Sequence, residues 1–143
     1  MSWPSQLRAW LTKRLATKKS VGDRGEAAAA RFLKRSGFRI VERGHDSPLG
    51  ELDIIALDGR TVVFVEVKTR TSVDAGHPAE AIDATKQRRM TQAALAYLKS
   101  KRLLDNAARF DVVAVTWPPD SRRPQIEHYR NAFSPTGAGQ FFS

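Results

Sequence analysis

Residues 50–68 read GELDIIALDGRTVVFVEVK, two β-rich runs, Glu51 to Leu57 and Arg60 to Lys68, on either side of Asp58-Gly59. That dipeptide is a strong hairpin signal, because two-residue turns need positive φ angles that Gly, Asn and Asp tolerate best. Val62-Val63-Phe64-Val65 is apolar at every position, as in a central strand covered on both faces. Working outward, residues 22–37 hold an alanine run, Ala27 to Ala30, and end on Gly37, which predicts a helix. A short strand is expected over Phe38 to Val41, then a loop carrying Gly44, Asp46, Ser47, Pro48 and Gly50. Beyond Thr69 a Gly/Pro-containing loop leads to a helix from about Asp83 to Lys101, whose Met90, Ala93, Ala94, Tyr97 and Leu98 form one stripe. Phe110 to Trp117 reads as a buried strand closed by Pro118-Pro119, and Gln125 to Arg130 as a last edge strand. The order α, β, β, β, α, β, β predicts an α/β domain with a central mixed sheet flanked by helices.

Three charged residues of the hairpin carry chemistry. With Asp58-Gly59 as the turn, residue 57 faces 60, so Asp53 lies opposite Phe64 and Glu51 opposite Glu66. Asp53, Glu66 and Lys68 then share one face, with Asp53 and Glu66 diagonal neighbours about 7–8 Å apart. Like charges side by side on a sheet are destabilising, and partial burial adds a desolvation cost, so a cation is expected between them. Mg²⁺ fits, since it takes one or two carboxylates while keeping waters and phosphate oxygens. The Val67 carbonyl would supply a further ligand. Lys68 would orient the metal-bound water or stabilise charge on phosphate. On spacing alone the alternative stays open that these are solvated hairpin residues whose ion pairs contribute about 0–1 kcal/mol.

The chain has 143 residues, enough for one core, and 24 Lys and Arg against 15 Asp and Glu give a net charge of +9. A polyanionic partner follows, nucleic acid before a membrane surface. Arg8, Lys13, Arg14, Lys18 and Lys19 occupy residues 1–20 with no acid among them, on a segment whose Leu7, Trp10, Leu11 and Leu15 predict a basic amphipathic helix. The absence of cysteine excludes disulfides, thiolate zinc sites and cysteine nucleophiles. No apolar run approaches the roughly 20 residues of a membrane helix. A cytoplasmic protein is expected.

The motifs Gly22-Asp23-x-Gly-Glu26, Gly50-Glu51-Leu52-Asp53-Ile54-Ile55-Ala56, Val63 to Arg70, Lys86-Gln87-Arg88-Arg89 and Arg109 to Ala114 together resemble the YraN-like family of predicted endonucleases. That family lies within the PD-(D/E)xK superfamily, which includes archaeal Holliday-junction resolvases. The resemblance covers about residues 21–133, leaving 1–20 as an N-terminal extension and 134–143 as a flexible tail. It implies a restriction-endonuclease-like αβββαβ core, with Asp53 and Glu66 as ligands of Mg²⁺ or Mn²⁺ and Lys68 as the catalytic lysine. Glu26 would bind the metal or its water from the helix. Leu52 stands where the superfamily name has proline. The implied activity is hydrolysis of DNA phosphodiester bonds, with branched or single-stranded DNA as structure-specific substrates and a homodimer matching the two-fold symmetry of a junction.

Arg70 sits just beyond the lysine, where a phosphate would lie, as does Thr69. Lys86, Gln87, Arg88 and Arg89 begin the second helix, where positive charge opposes the helix dipole unless an anion is near, so they too are candidate nucleic-acid contacts. Glu51 is either a supporting carboxylate or a solvated strand residue. Asp111, flanked by strand hydrophobics, is expected to pair with a basic group. His45, His77 and His128 lack zinc spacing and are expected in loops or at edges. Trp3, Trp10 and Trp117 are expected to pack. A non-catalytic nucleic-acid-binding adaptor with the nuclease fold is the competing expectation.

Overall fold

The computed structural model describes residues 21–71 and 82–135. The basic segment 1–20, His77, and residues 136–143 of the expected tail lie outside the described residues. Helix α1, Val21–Arg35, ends where Phe38 N–H bonds the Leu33 carbonyl at 2.9 Å and Gly37 N–H bonds the Lys34 carbonyl at 3.1 Å. This closure needs a left-handed residue, and Gly37 supplies it at φ +97°. The chain then forms β1 (Arg39–Ser47), β2 (Gly50–Asp58), β3 (Thr61–Arg70), α2 (Ala84–Ser100), β4 (Ala108–Thr116) and β5 (Gln125–Phe133). Asp83 caps α2, its carboxylate accepting from Lys86 N–H at 2.8 Å.

The five strands stand in chain order, β1-β2-β3-β4-β5, antiparallel throughout except for the β3–β4 pair. Leu33 and Ala28 to Ala30 of α1 cover Ile54, Ala56, Val63, Val65, Val113 and Val115 on one face. On the other, Met90, Ala93, Ala94, Tyr97 and Leu98 of α2 pack with Ile55, Val62, Phe64, Phe110 and Val112. The expected α/β architecture is observed, a mixed sheet between helices, consistent with a restriction-endonuclease-like core. Among the described residues no helix is long and apolar enough to cross a membrane.

Three expectations need correction. The loop expected after Val41 is strand: β1 runs to Ser47, with a register shift between Ile40 and Glu42 and, further along, Gly44 at φ +63°. Ser47 closes the turn, donating its hydroxyl to the Gly50 carbonyl at 2.9 Å. Secondly, the β2–β3 turn is Gly59-Arg60, because Gly59 takes the first central position at φ +60° while Asp58 pairs with Thr61. Asp58 stays in the ladder, its carboxylate bonded to Arg109 Nη2 at 2.9 Å. The register therefore moves by two residues, and Ile54 faces Val65. Lastly, β5 continues past Arg130 to Phe133, whose ring stacks on Phe110 at 4.7 Å between centroids.

Candidate active site

The β2–β3 ladder stops at Ile54 and Val65. Leu52 packs on the α2 side and Ile54 on the α1 side, although residues two apart on a regular strand share a face. So β2 turns about Asp53 as it leaves β3. The observed register points Asp53 toward Glu66 directly across and not on the diagonal expected from sequence, and the two carboxylates are close enough to repel, while Glu51 faces Asp46 on β1 and not Glu66. The gap opened by β2 is bridged by Asp53, whose Oδ2 accepts from Val67 N–H at 2.8 Å. In an extended strand a residue's N–H and C=O project to the same side, so the Val67 carbonyl faces that gap too. Leu52 belongs to the buried core, which accounts for an apolar side chain at the position before the aspartate.

Glu66 is buried at 4% exposure. Its Oε1 lies 3.6 Å from both Lys68 Nζ and Lys86 Nζ. Its Oε2 is buried without any hydrogen-bond partner. Burial, the Glu66 carboxylate opposite and the more distant Glu26 push the Asp53 carboxyl up to about 8, against the bond from Val67 N–H and the pull of Lys86. Glu26 reaches toward the same end of the sheet from the first half of α1, held 3.6 Å from Arg43 Nε of β1. Burial raises its carboxyl as well, opposed by Arg43 and reinforced by Asp23 and Glu51. Two facing carboxylates, one raised and one with an orphaned buried oxygen, and a main-chain carbonyl make an oxygen-rich setting that fits a hard divalent cation. Arg43, Lys68 and Lys86 supply three cations against the three carboxylates of Glu26, Asp53 and Glu66, each contact a loose 3.6 Å. Among the described residues no set of three or more His, Cys, Asp and Glu side chains converges closely enough to hold a metal without rearrangement.

A close helix–strand contact positions Glu26. A Cβ on Gly25 would lie 2.0 Å from Thr69 Oγ1, so glycine lets α1 settle directly on the end of β3. Thr69 faces that helix. Arg70 is half-buried, its Nε donating to Thr116 Oγ1 at 3.1 Å. Gln87 turns its amide back to the Ile82 carbonyl at 2.9 Å. Arg88 and Arg89 are exposed, Arg89 beside Gly50, Glu51, Lys86 and Met90 in a shallow pocket at the start of α2. Lys86 thus belongs to the carboxylate site itself. Sequence reasoning placed it only among the phosphate contacts, and it missed Arg43, which fell in a segment expected to be loop.

Asp111 has the pairing role expected for it, at 0% exposure. Arg109 Nε donates to it at 2.9 Å, Asn131 N–H at 2.9 Å, and His128 Nε2 lies 2.8 Å away. Against the cost of burial, the bonds from His128, Arg109 and Asn131 hold its carboxyl below the ordinary range. His45 and His128 stand on the edge strands β1 and β5, although the His128 ring is covered by Phe32 and Phe38. Trp117 packs beside the α1 face of the core, with the Arg24 guanidinium 4.7 Å from its ring centroid. Trp3 and Trp10 lie outside the described residues.

Residues 25–115 match the model of a family described as "Uncharacterised protein family UPF0102". The chain is 49% identical over 125 residues to a UPF0102 protein of Rhodopirellula baltica, covering 85% of this chain and 75% of that protein. It is 49% identical over 115 residues to one from Geobacter metallireducens, covering 80% and 93%. A UPF0102 protein of Moorella thermoacetica is 44% identical over 117 residues, covering 82% and 98%.

Proposed function

Starting from the premise that the chain belongs to the UPF0102 family, we propose that it is a metal-dependent endonuclease of the YraN-like type that hydrolyses DNA phosphodiester bonds in the cytoplasm. The observation that carries this is the Asp53–Glu66 pair at the end of the β2–β3 ladder, with an unpartnered Glu66 oxygen and Lys68 alongside. Asp53, Glu66, the Val67 carbonyl and Glu26 would hold the ion. When bound, Mg²⁺ or Mn²⁺ supplies charge neutralisation at phosphate and acidification of a coordinated water.

The rest of the chemistry belongs to the chain. Asp53 is fixed by Val67 N–H and Glu66 by its buried strand position, so both carboxylates are oriented before substrate arrives. Lys68 sits on the same face two residues beyond Glu66, its side chain 34% exposed, where its ammonium can orient the attacking water and stabilise charge developing on the phosphate. Arg88 and Arg89 offer exposed cations for the DNA backbone at the same end of the sheet, with Arg70 flanking the lysine. Branched or single-stranded substrates and a homodimer matched to a junction's symmetry complete the proposal. The test is cleavage of junction, flap and single-stranded DNA with and without Mg²⁺. Cleavage lost in both Asp53→Asn and Lys68→Ala supports the assignment, and cleavage surviving in either ends it.

The ion pairs Arg43–Glu26 and Lys86–Glu66 favour a second reading, because they neutralise two carboxylates with the chain's own cations. A nucleic-acid-binding adaptor would bind DNA with steep salt dependence and turn over none of these substrates with any divalent ion.

A further inference from the structure

Lys86 and Lys68 reach one oxygen from different elements. Lys68 is on β3 two residues from Glu66, whereas Lys86 comes from the first turn of α2, and each Nζ stands 3.6 Å from Glu66 Oε1. That distance exceeds the ordinary 2.7–3.2 Å range of an N–H···O bond, so both contacts are loose charge pairs. Lys86 is also placed against electrostatic preference: a cation in a helix's first turn opposes the dipole, typically by about 0.3–1 kcal/mol. The first turn of α2 contains no acid, and among the described residues the N-cap Asp83 is the one carboxylate at the helix start that offsets it. Its main chain is pinned by Asp83, while its side chain is 40% exposed and free to turn outward.

Two carboxylates and two ammoniums are electroneutral when all are charged. Adding a divalent cation leaves an excess of two positive charges in a partly buried site, which the outward turn of one ammonium toward an anion relieves. Lys68 is tied to the middle of the sheet, and Lys86 borders the exposed Arg88 and Arg89. We propose that Lys86 is a positioning residue exchanged for the divalent cation at Glu66, so that loading the site turns its ammonium from the carboxylate to the phosphate of the bound nucleic acid. This rests on the nuclease reading of the same site.

The exchange is tested without turnover, using Ca²⁺ as the non-cleaving ion and a fluorescein-labelled DNA duplex. Binding of the 143-residue chain and its Lys86→Met variant is measured by anisotropy across a salt series, with Ca²⁺ and with EDTA. Loss of one phosphate contact lowers the salt slope by about 0.9. That loss is expected for Lys86→Met with Ca²⁺ and is expected to be absent in EDTA. An equal loss in both conditions makes Lys86 an ordinary backbone contact, and no loss in either makes it structural; each overturns the exchange while leaving the nuclease reading intact. If the wild-type chain binds no Ca²⁺ or Mn²⁺ by calorimetry, both fall together. Lys86→Gln, checked for an unchanged melting temperature, must reproduce the Ca²⁺-dependent loss, and Lys86→Arg must restore the slope.

Discussion

Replacing Gly25 by alanine tests how Glu26 is delivered to the site. Gly25 has no left-handed φ, so alanine fits the backbone and by propensity alone would stabilise α1 by up to about 1 kcal/mol. The new Cβ, however, lies 2.0 Å from Thr69 Oγ1 and 3.1 Å from both Thr69 Cβ and Cγ2. Thr69 is β-branched, so two of its three staggered rotamers leave a heavy atom in the way, and its Cβ stays close in all of them. Either α1 lifts from β3 or the strand end yields. Overpacking of this kind costs about 1–3 kcal/mol, leaving Gly25→Ala about 0–2 kcal/mol less stable after the propensity gain. In a Thr69→Ala background most of the overlap is gone, and the same substitution is expected to be neutral or stabilising. A double-mutant cycle by urea unfolding should therefore give a coupling of about 1–3 kcal/mol. Because Glu26 adjoins Gly25, Mn²⁺ affinity should fall in Gly25→Ala and recover in the double variant. A Gly25→Ala change that stabilises equally in both backgrounds would refute the idea that this contact sets the helix.

Two further predictions concern buried acids. In the absence of divalent ions Asp53→Asn should stabilise the fold: with the folded carboxyl near 8 and the ordinary aspartate value at 3.8, the folded state keeps a proton that the unfolded chain has released between those values. Stability of the wild type then falls as pH rises through that window and levels off above it, so the variant's advantage in thermal unfolding should grow from about pH 4 to about pH 8, reaching a few kcal/mol. Saturating Mg²⁺ should reverse the ranking, and an advantage independent of pH would contradict the burial argument. Asp111→Ala should cost about 3–5 kcal/mol at neutral pH, because it leaves Arg109 with Asp58 as its remaining carboxylate and the Asn131 N–H unpaired in a buried network. The Asp111 carboxyl is held low, so its contribution is fully present above the ordinary carboxylate range and lost as pH falls through its lower folded value. Urea unfolding should show the variant's deficit shrinking in acid, and a constant deficit would assign it to packing instead.

The central strand and the α/β/α layering were legible because Val62 to Val65 is apolar at every position and the two helices carry clear stripes. Asp53, Glu66 and Lys68 could be grouped because side-chain alternation survives a register error of two residues. The register itself was not legible. Asp58-Gly59 announces a turn, but tertiary pairing of Asp58 with Arg109 and the positive φ of Gly59 decide which residue enters it. Gly44 and Pro48 read as loop punctuation, yet Gly44 lies inside β1 and Pro48 in the two-residue turn that ends it, and Arg43 was hidden with them. Lys86 could be flagged as an unfavourable charge at a helix start, but its meeting with Glu66 depends on how α2 crosses the sheet. No local pattern encodes that.

The chain-ordered sheet also sets an order of assembly. Strands β1, β2 and β3 are joined by tight turns, and hairpins of this kind close in about 1–10 μs. The β3–β4 pairing instead closes a long loop that contains the whole of α2, at a greater entropic cost. Asp53 and Glu66 thus belong to the early half of the fold, whereas Lys86, Asp111 and the strands that complete the second edge of β3 belong to the late half. Until that half docks, the nascent sheet presents the bare edge of its most apolar strand beside an acidic pair that lacks Lys86 and has Lys68 as its close cation. The interval between the two events is where the chain is most exposed to wrong pairing with a neighbour.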